Sequence, residues 1–192
     1  AAISIISILI GNLSALAQTN PKRMLAYSSV AQAGFLLIGV TVLGMEGLHF
    51  MLFYSTVFLL MNFLAFSVLN QNEESFGINS MTAFSGLGRL SFFPAFAILI
   101  SMIALTGLPP TAGFTAKLLI FSSLWATYQE TQSTILLALF IIGLMNTVIS
   151  LFFYLKIPYF LFMKETAKPA EPIKNSVARN LLHGILVVTL IY

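Results

Sequence analysis

One lysine stands inside a long apolar stretch, and its amine is a group that can bind and release a proton. Lys117 closes the stretch TGLPPTAGFTAK, which begins at Thr106 within a segment that is otherwise apolar from Phe92 to Ala126. In a membrane, burial and the positive end of a helix that begins just before the lysine both disfavour the charged ammonium. We therefore expect Lys117 to exchange a proton at membrane depth. The alternative is a side chain that extends to the membrane interface.

No carboxylate lies within a turn or two of this lysine to neutralise it. A lysine at membrane depth costs about 2.5 to 3.5 kcal/mol of insertion free energy. Because of this cost, a lysine at such a position indicates a functional residue. The acidic residues all lie in or beside predicted loops, at Glu46, Glu73, Glu74, Glu130, Glu165 and Glu171.

The residues before Lys117 predict a break in its helix. As one straight helix, residues 92–126 would be about 52 Å long, against about 30 Å for the hydrocarbon core of a bilayer. We expect two half-helices, 93–107 and 113–127, because proline and glycine both oppose a continuous helix. Unpaired backbone at membrane depth needs protein or a water-filled cavity around it, so the break and the lysine together predict an ion path. The break is placed at Gly107, Pro109, Pro110 and Gly113.

Further polar side chains lie at spacings that bring them onto shared helix faces. Residues three, four or seven positions apart in a helix lie on one face. A polar side chain at membrane depth either bridges two helices or holds water in a path, and spacing alone leaves both possibilities open. The candidates for a polar, water-lined path are Tyr54, Ser55, Asn62, Thr115, Asn146 and Ser150.

Composition excludes most other classes of protein. Of the 192 residues, 58% are hydrophobic and 8% are charged, whereas soluble domains carry roughly 25% charged residues. There is no cysteine, which excludes disulfides, thiolate metal sites and iron–sulfur ligation by this chain. We expect His49 and His183 to pack at helix ends or between helices. No P-loop or dinucleotide fingerprint is present, and the net charge of +3 reflects the loops and not nucleic-acid binding.

The chain predicts an all-α integral membrane protein with about six transmembrane helices. A spanning helix needs about 20 mostly apolar residues, and the chain has several such runs in succession. It begins without a methionine or a charged leader and its last span ends abruptly, so we expect a piece of a longer chain. The predicted spans are 1–18, 24–44, 47–70, 92–127, 134–163 and 178–192.

The basic residues predict the orientation of these spans. Cytoplasmic loops carry an excess of lysine and arginine. The second and fourth loops hold Glu46 and Glu130 and no base, so we expect both chain ends on the side opposite the cytoplasm. The bases in or beside the odd-numbered loops are Lys22, Arg23, Arg89, Lys156, Lys164, Lys168, Lys174 and Arg179.

Two stretches carry a resemblance to a known family. QTNPKRMLAYSSVAQAGFLLIGV (18–40) and GLPPTAGFTAK (107–117) resemble the signature stretches of the antiporter-like membrane subunits of respiratory complex I, which are relatives of the Mrp-type cation/proton antiporters. The double proline and the lysine after GF are most similar to the subunit N branch, as is GLGR at 86–89. Subunit M typically has a glutamate in place of this lysine.

The resemblance implies a fourteen-helix fold with two inverted five-helix repeats, each containing one broken helix. This chain would be the second repeat (1–163, with the broken helix 92–127), a cytoplasmic loop (164–177) and a final span (178–192). Lys117 would be the terminal lysine of a proton path, joined through water to the outer half-channel. The family's other key groups, a glutamate and lysines of the first repeat, have no counterpart in these residues.

By the same resemblance, the chain is expected to translocate protons as a non-redox subunit of NADH:quinone oxidoreductase, in a bacterial inner membrane with both ends periplasmic. NADH, FMN, iron–sulfur clusters and quinone would belong to the parent complex, and this chain would bind none of them. Its partners would be other membrane subunits of complex I, the lipid bilayer and protons, but not nucleic acid. The alternatives are an Mrp-type cation/proton antiporter subunit and a scaffold that only packs neighbouring subunits.

Overall fold

The computed structural model describes residues 1–42, 45–76, 80–90, 92–164 and 177–191, and within these ranges the regular secondary structure is all helical. A short 3-10 helix, Met81–Phe84, precedes the fourth α-helix. The α-helices are α1 (Ala2–Leu16), α2 (Pro21–Thr41), α3 (Met45–Phe76), α4 (Leu87–Leu90), α5 (Phe92–Thr106), α6 (Ala112–Thr131), α7 (Thr134–Met163) and α8 (Val177–Ile191).

The start of α2 shows how local sequence sets a helix boundary. The side chain of Asn20 accepts a hydrogen bond of 3.0 Å from the backbone N–H of Arg23, which would otherwise lack a partner in the first turn. Pro21 follows at the first helical position, where its missing N–H costs nothing. Both features fix the point at which the chain enters the bundle.

Within the described part of the chain, three helices are long and apolar enough to cross a membrane: Pro21–Thr41, Gly47–Glu74 and Thr134–Met163. By length and composition they agree with the predicted spans 24–44, 47–70 and 134–163, of which residues 43 and 44 lie outside the described residues. Three further apolar helices, Ala2–Leu16, Phe92–Thr106 and Arg179–Ile191, are shorter. A total of six spans therefore stays a prediction.

The outer surface of the bundle is apolar, as lipid contact requires. Large hydrophobic side chains are more than half exposed on several helices, including Ile3 at 72%, Leu59 at 67% and Phe152 at 66%. The interior also contains buried polar groups, which is the pattern of a membrane protein whose polar residues face one another. In the described residues α3 packs against α2, α5, α6 and α8, and α1 packs against α2 and α7.

Two ion pairs mark one end of the bundle. Lys22, at the start of α2, pairs with Glu73 near the end of α3, and Arg179 Nη1 of α8 lies 3.8 Å from Glu74 Oε2. We call this the Lys22 end. The opposite, Gln132 end contains the tight turn between α6 and α7, where Gln132 adopts a φ of 50°. The predicted loop 164–177 lies outside the described residues except for its two terminal positions.

Candidate proton-transfer site

Helix α5 ends where the apolar segment reaches its first glycine. Gly107 has a φ of +83°, a left-handed conformation that glycine adopts without steric cost, and its N–H donates to the Ile103 carbonyl at 3.1 Å. Leu108 N–H donates to the same carbonyl at 3.2 Å. Pro109 and Pro110 follow at the surface of the chain, and α6 begins at Ala112. The predicted half-helices 93–107 and 113–127 correspond to α5 and α6, with α6 longer than expected.

The start of α6 packs directly onto the last turns of α5. A β-carbon on Gly113 would lie 1.9 Å from the Ala104 carbonyl oxygen, so only glycine permits this approach. Lys117 is four residues further along and therefore lies on the same helix face. The contact at Gly113 consequently turns the lysine back toward α5.

Lys117 reaches the carbonyl end of α5. Its Nζ donates to the Thr106 oxygen at 2.8 Å and to the Leu105 oxygen at 3.1 Å, and the residue is 6% exposed. The ammonium also lies 5.2 Å from the centroid of the Phe35 ring. A β-carbon on Gly107 would lie 2.7 Å from Lys117 Cδ, so this glycine leaves room for the lysine stem.

This position alters the electrostatic expectation for the lysine. From the sequence we expected burial and the positive end of α6 to disfavour the ammonium. The structure adds the last carbonyls of α5, which form the negative end of a helix and stabilise a cation. The two helix ends therefore act on Lys117 in opposite senses.

A cluster of three buried polar side chains adjoins the lysine, and we call it the Gln32 cluster: Gln32, Tyr54 and Tyr154. Gln32 Nε2 donates to the Leu105 oxygen at 3.3 Å and to Tyr154 Oη at 3.2 Å. Tyr54 Oη donates to Gln32 Oε1. All three residues are at most 2% exposed. The Leu105 carbonyl thus joins Lys117 to the cluster.

Two members of this cluster were not among the predicted site residues. Tyr154 follows Asn146 and Ser150 at steps of four, so the helical spacing that selected those two residues extends to it. Gln32 lies four residues after Ser28 in α2, and this spacing places it on one side of the helix without indicating a role. Tyr54, which was predicted, belongs to the cluster.

The other predicted path residues lie elsewhere. Ser55 Oγ donates to the Met51 oxygen at 2.8 Å, Asn62 Nδ2 to the Phe58 oxygen at 3.3 Å, and Ser150 Oγ to the Thr147 oxygen at 2.7 Å. Each of these bonds stays within one helix. Thr115 is exposed on the surface of this chain. It lies two positions before Lys117, so the two side chains are about 200° apart around the helix axis.

Asn146 takes part in a separate contact between two helices. Asn12 Nδ2 of α1 donates to the Asn146 backbone oxygen at 3.0 Å and to its Oδ1 at 3.2 Å. Both asparagines are 2% exposed or less. Asn146 therefore bridges two helices, which is one of the two possibilities that the spacing of the polar residues left open.

The site contains one group that can bind and release a proton. Lys117 is a titratable amine with two carbonyl acceptors, and the groups beside it are an amide, two phenols and an aromatic ring. Among the described residues no group of three or more histidine, cysteine, aspartate or glutamate side chains could hold a metal ion.

Comparison with known proteins agrees with the fold and the motifs. Residues 1–150 match the family model described as NADH:quinone oxidoreductase/Mrp antiporter, TM. The chain is 36% identical to NADH-quinone oxidoreductase subunit N 2 of Chloroherpeton thalassium, over 99% of this chain and 36% of that protein. It is 37% identical to NAD(P)H-quinone oxidoreductase subunit 2 of Gloeothece citriformis, over 91% of this chain and 32% of that protein.

Solved structures lead to the same group of proteins. A chain of respiratory complex I from Thermus thermophilus with bound aureothin matches with a TM-score of 0.77 and 28% identity, over 99% of this chain and 42% of that one. A chain of the Mrp complex from Dietzia sp. shares the fold, with a TM-score of 0.80, 21% identity and coverage of 99% and 43%.

The chain spans only about a third of the length of the curated relatives it matches. The predicted resemblance to subunit N is confirmed by those relatives. The chain belongs to the NADH:quinone oxidoreductase/Mrp antiporter family of membrane proteins.

Proposed function

We propose that this chain is part of a proton-translocating membrane subunit of NADH:quinone oxidoreductase, and that Lys117 lies in the outward half of its proton path. One observation carries the proposal: a buried lysine, without a carboxylate partner among the described residues, bonded to the last carbonyls of a helix that ends inside the bundle. Relatives named as subunits of this oxidoreductase support the assignment.

Helices α5 and α6 form one discontinuous transmembrane helix in this proposal. The 15 residues of α5 would span about 22 Å, which is less than the hydrocarbon core, so the helix cannot cross the membrane alone. The chain then comprises a five-helix repeat at 1–163, a cytoplasmic loop at 164–177 and a final span at 178–192. This is the second inverted repeat of a longer protein, followed by its last helix.

The hydrogen bonds of Lys117 suit repeated gain and loss of a proton. An ammonium has three donors, and the described residues provide carbonyl acceptors for two of them, on Leu105 and Thr106. The third proton is available to a water molecule on the path. After its release the neutral amine keeps both carbonyl bonds, so the side chain holds its place. The Gln32 cluster fixes the Leu105 carbonyl while the proton moves.

Membership of the family supports the rest of this proposal, which concerns the parent complex. This chain performs no redox step; quinone reduction in other subunits drives the pump, and NADH, FMN, iron–sulfur clusters and quinone reside there. Its partners are the other membrane subunits of complex I, lipid and protons. We place it in a bacterial inner membrane, with the Lys22 end toward the cytoplasm and both ends of the segment in the periplasm.

The test is Lys117→Ala in the complete subunit within the assembled complex. We expect quinone reduction coupled to pumping to fall, with fewer protons moved per electron, measured in proteoliposomes. Lys156→Ala is the matched control, because Nζ of this half-buried lysine of α7 lies at the Lys22 end, 3.4 Å from the Leu16 oxygen at the end of α1. An assembled Lys117→Ala complex with the wild-type proton-to-electron ratio would leave only a scaffold role.

An Mrp-type antiporter is the second candidate, since the chain shares the fold of the Mrp complex. The purified complete protein in liposomes separates the two. Sodium-coupled proton flux without any redox input would favour the antiporter, whereas flux that requires NADH and quinone favours the oxidoreductase subunit.

A further inference from the structure

A second buried polar site lies between α3 and α8. His183 of α8 is fully buried, and its Nε2 lies 2.9 Å from Ser67 Oγ of α3. The other ring nitrogen, Nδ1, is also buried and has no hydrogen-bond partner among the described residues. A buried imidazole nitrogen without a partner is costly, because in either tautomer it is a donor or an acceptor left unmatched.

Two more unmatched polar atoms lie on the same side of α8. Arg179 Nε and Asn180 Oδ1 are buried without a partner among the described residues. Residues three and four positions before His183 share its helix face. Arg179, Asn180 and His183 therefore form one polar face, which we call the α8 face.

The mixture of donors and acceptors on the α8 face limits the kinds of ligand that could bind there. Arg179 Nε can only donate, Asn180 Oδ1 can only accept, and His183 Nδ1 does one or the other according to its tautomer. An anion would require donors alone, and a metal cation would require acceptors alone. Water both donates and accepts, and a buried water typically binds two to four polar groups.

The α8 face begins beside a partly exposed ion pair at the Lys22 end. Arg179 Nη1 lies 3.8 Å from Glu74 Oε2, and these side chains are 35% and 73% exposed. Glu74 is the charged group of α3 that faces Arg179, and α5 carries no titratable side chain between Phe92 and Thr106. The base of α6, Lys117, is bonded to carbonyls of α5. Along α8, the imidazole of His183 is the next titratable group after Arg179.

We propose that the α8 face binds water molecules that enter beside Arg179 and Glu74, and that His183 exchanges a proton with this water. The proton passes between water and Nδ1 while Nε2 keeps its bond to Ser67. This site is distinct from Lys117, and its existence does not depend on the function proposed above.

Hydrogen–deuterium exchange at the ring carbon Cε1 of histidine tests the proposal on the unaltered complete protein in native membranes. Exchange at this carbon requires contact with water and a titratable ring. We expect the half-time for His183 to lie within tenfold of that for the exposed His49. Exchange more than tenfold slower than at His49 would overturn the proposal.

Cysteine labelling provides the second measurement. In a cysteine-free complete protein, His183→Cys should react with a small water-soluble methanethiosulfonate at least tenfold faster than Leu190→Cys. Leu190 is the matched control because it is equally buried on the same helix but apolar. Equal rates would show a dry site and refute the proposal. Neither measurement involves pumping, so a failure of the Lys117 proposal would not alter either result.

Discussion

The α-carbon of Gly113 approaches α5 so closely that a β-carbon there would lie 1.9 Å from the Ala104 carbonyl oxygen. This contact decides where Lys117 points, since residues four apart share a helix face. The approach of two half-helices and the position of the lysine are therefore one structural feature. Any change that separates the start of α6 from the end of α5 should also move the ammonium.

Gly113→Ala should test this coupling. We expect a loss of about 1 to 3 kcal/mol of stability from overpacking, together with impaired pumping, because the lysine would be displaced from the carbonyls. Thermal unfolding of the purified complete protein and pumping in liposomes would measure both effects. Gly184→Ala is the control, since its β-carbon would make an ordinary contact of 3.5 Å with Phe93 Cζ. Equal behaviour of the two variants would contradict the close approach.

Substitutions at Lys117 should separate a proton relay from a fixed charge. Lys117→Arg keeps the charge, but a guanidinium does not deprotonate at any working pH. We expect pumping to fall by about tenfold or more for arginine and alanine, whereas glutamate, which is also titratable, should retain more than either. Native electrophoresis would first confirm assembly. An assembled arginine variant that pumps as well as wild type would establish a fixed-charge role.

Removal of the Gln32 amide should weaken the bundle and the site together. Gln32→Leu removes the acceptor of the Tyr54 hydroxyl, at about 1 to 3 kcal/mol for an unsatisfied buried group. We expect a lower thermal midpoint and slower pumping. Gln18→Leu should change neither, because the Gln18 amide lies just beyond the end of α1 and donates back to the Ser14 oxygen of that helix at 3.1 Å. A Gln32→Leu protein as stable as wild type would argue against the cluster.

The bridge between α1 and α7 should be measurable by a double-mutant cycle. Hydrogen bonds between membrane helices contribute about 0.6 kcal/mol on average and up to about 1.7 kcal/mol. We expect Asn12→Ala and Asn146→Ala to couple within this range, because Asn12 donates to the side chain of Asn146 as well as to its backbone. The free energy of unfolding in detergent is the measurement. Strictly additive effects would mean that the side chains do not interact.

Labelling from each side of the membrane should establish the orientation. A cysteine at Lys164 should react with an impermeant reagent only from the cytoplasmic side, and one at Gln132 only from the periplasm. Both residues are exposed and lie beside opposite ends of α7. Labelling in the reverse sense would invert the proposed topology and, with it, the direction of the half-channel at Lys117.

The sequence predicted those parts of the site that depend on residue type. Gly107 and the prolines oppose a continuous helix wherever they stand, and Lys117 is conspicuous among apolar neighbours. The partners of the lysine could not be predicted, because the Leu105 and Thr106 acceptors are backbone atoms that every residue has. Helical periodicity places Asn62 and Ser150 on helix faces, but it does not determine whether a hydroxyl or amide bonds within its own helix or across to another.

The acceptors of Lys117 have a genetic consequence. Both are main-chain oxygens, of Leu105 and Thr106, so replacing either side chain leaves the acceptor atom in the polypeptide. A mutational screen for the partners of this lysine would not detect these two acceptors by substituting Leu105 or Thr106. Substituting Leu105 or Thr106 therefore does not remove the carbonyl acceptors of Lys117. Only a change in the backbone conformation at the end of α5 can move them away from the lysine.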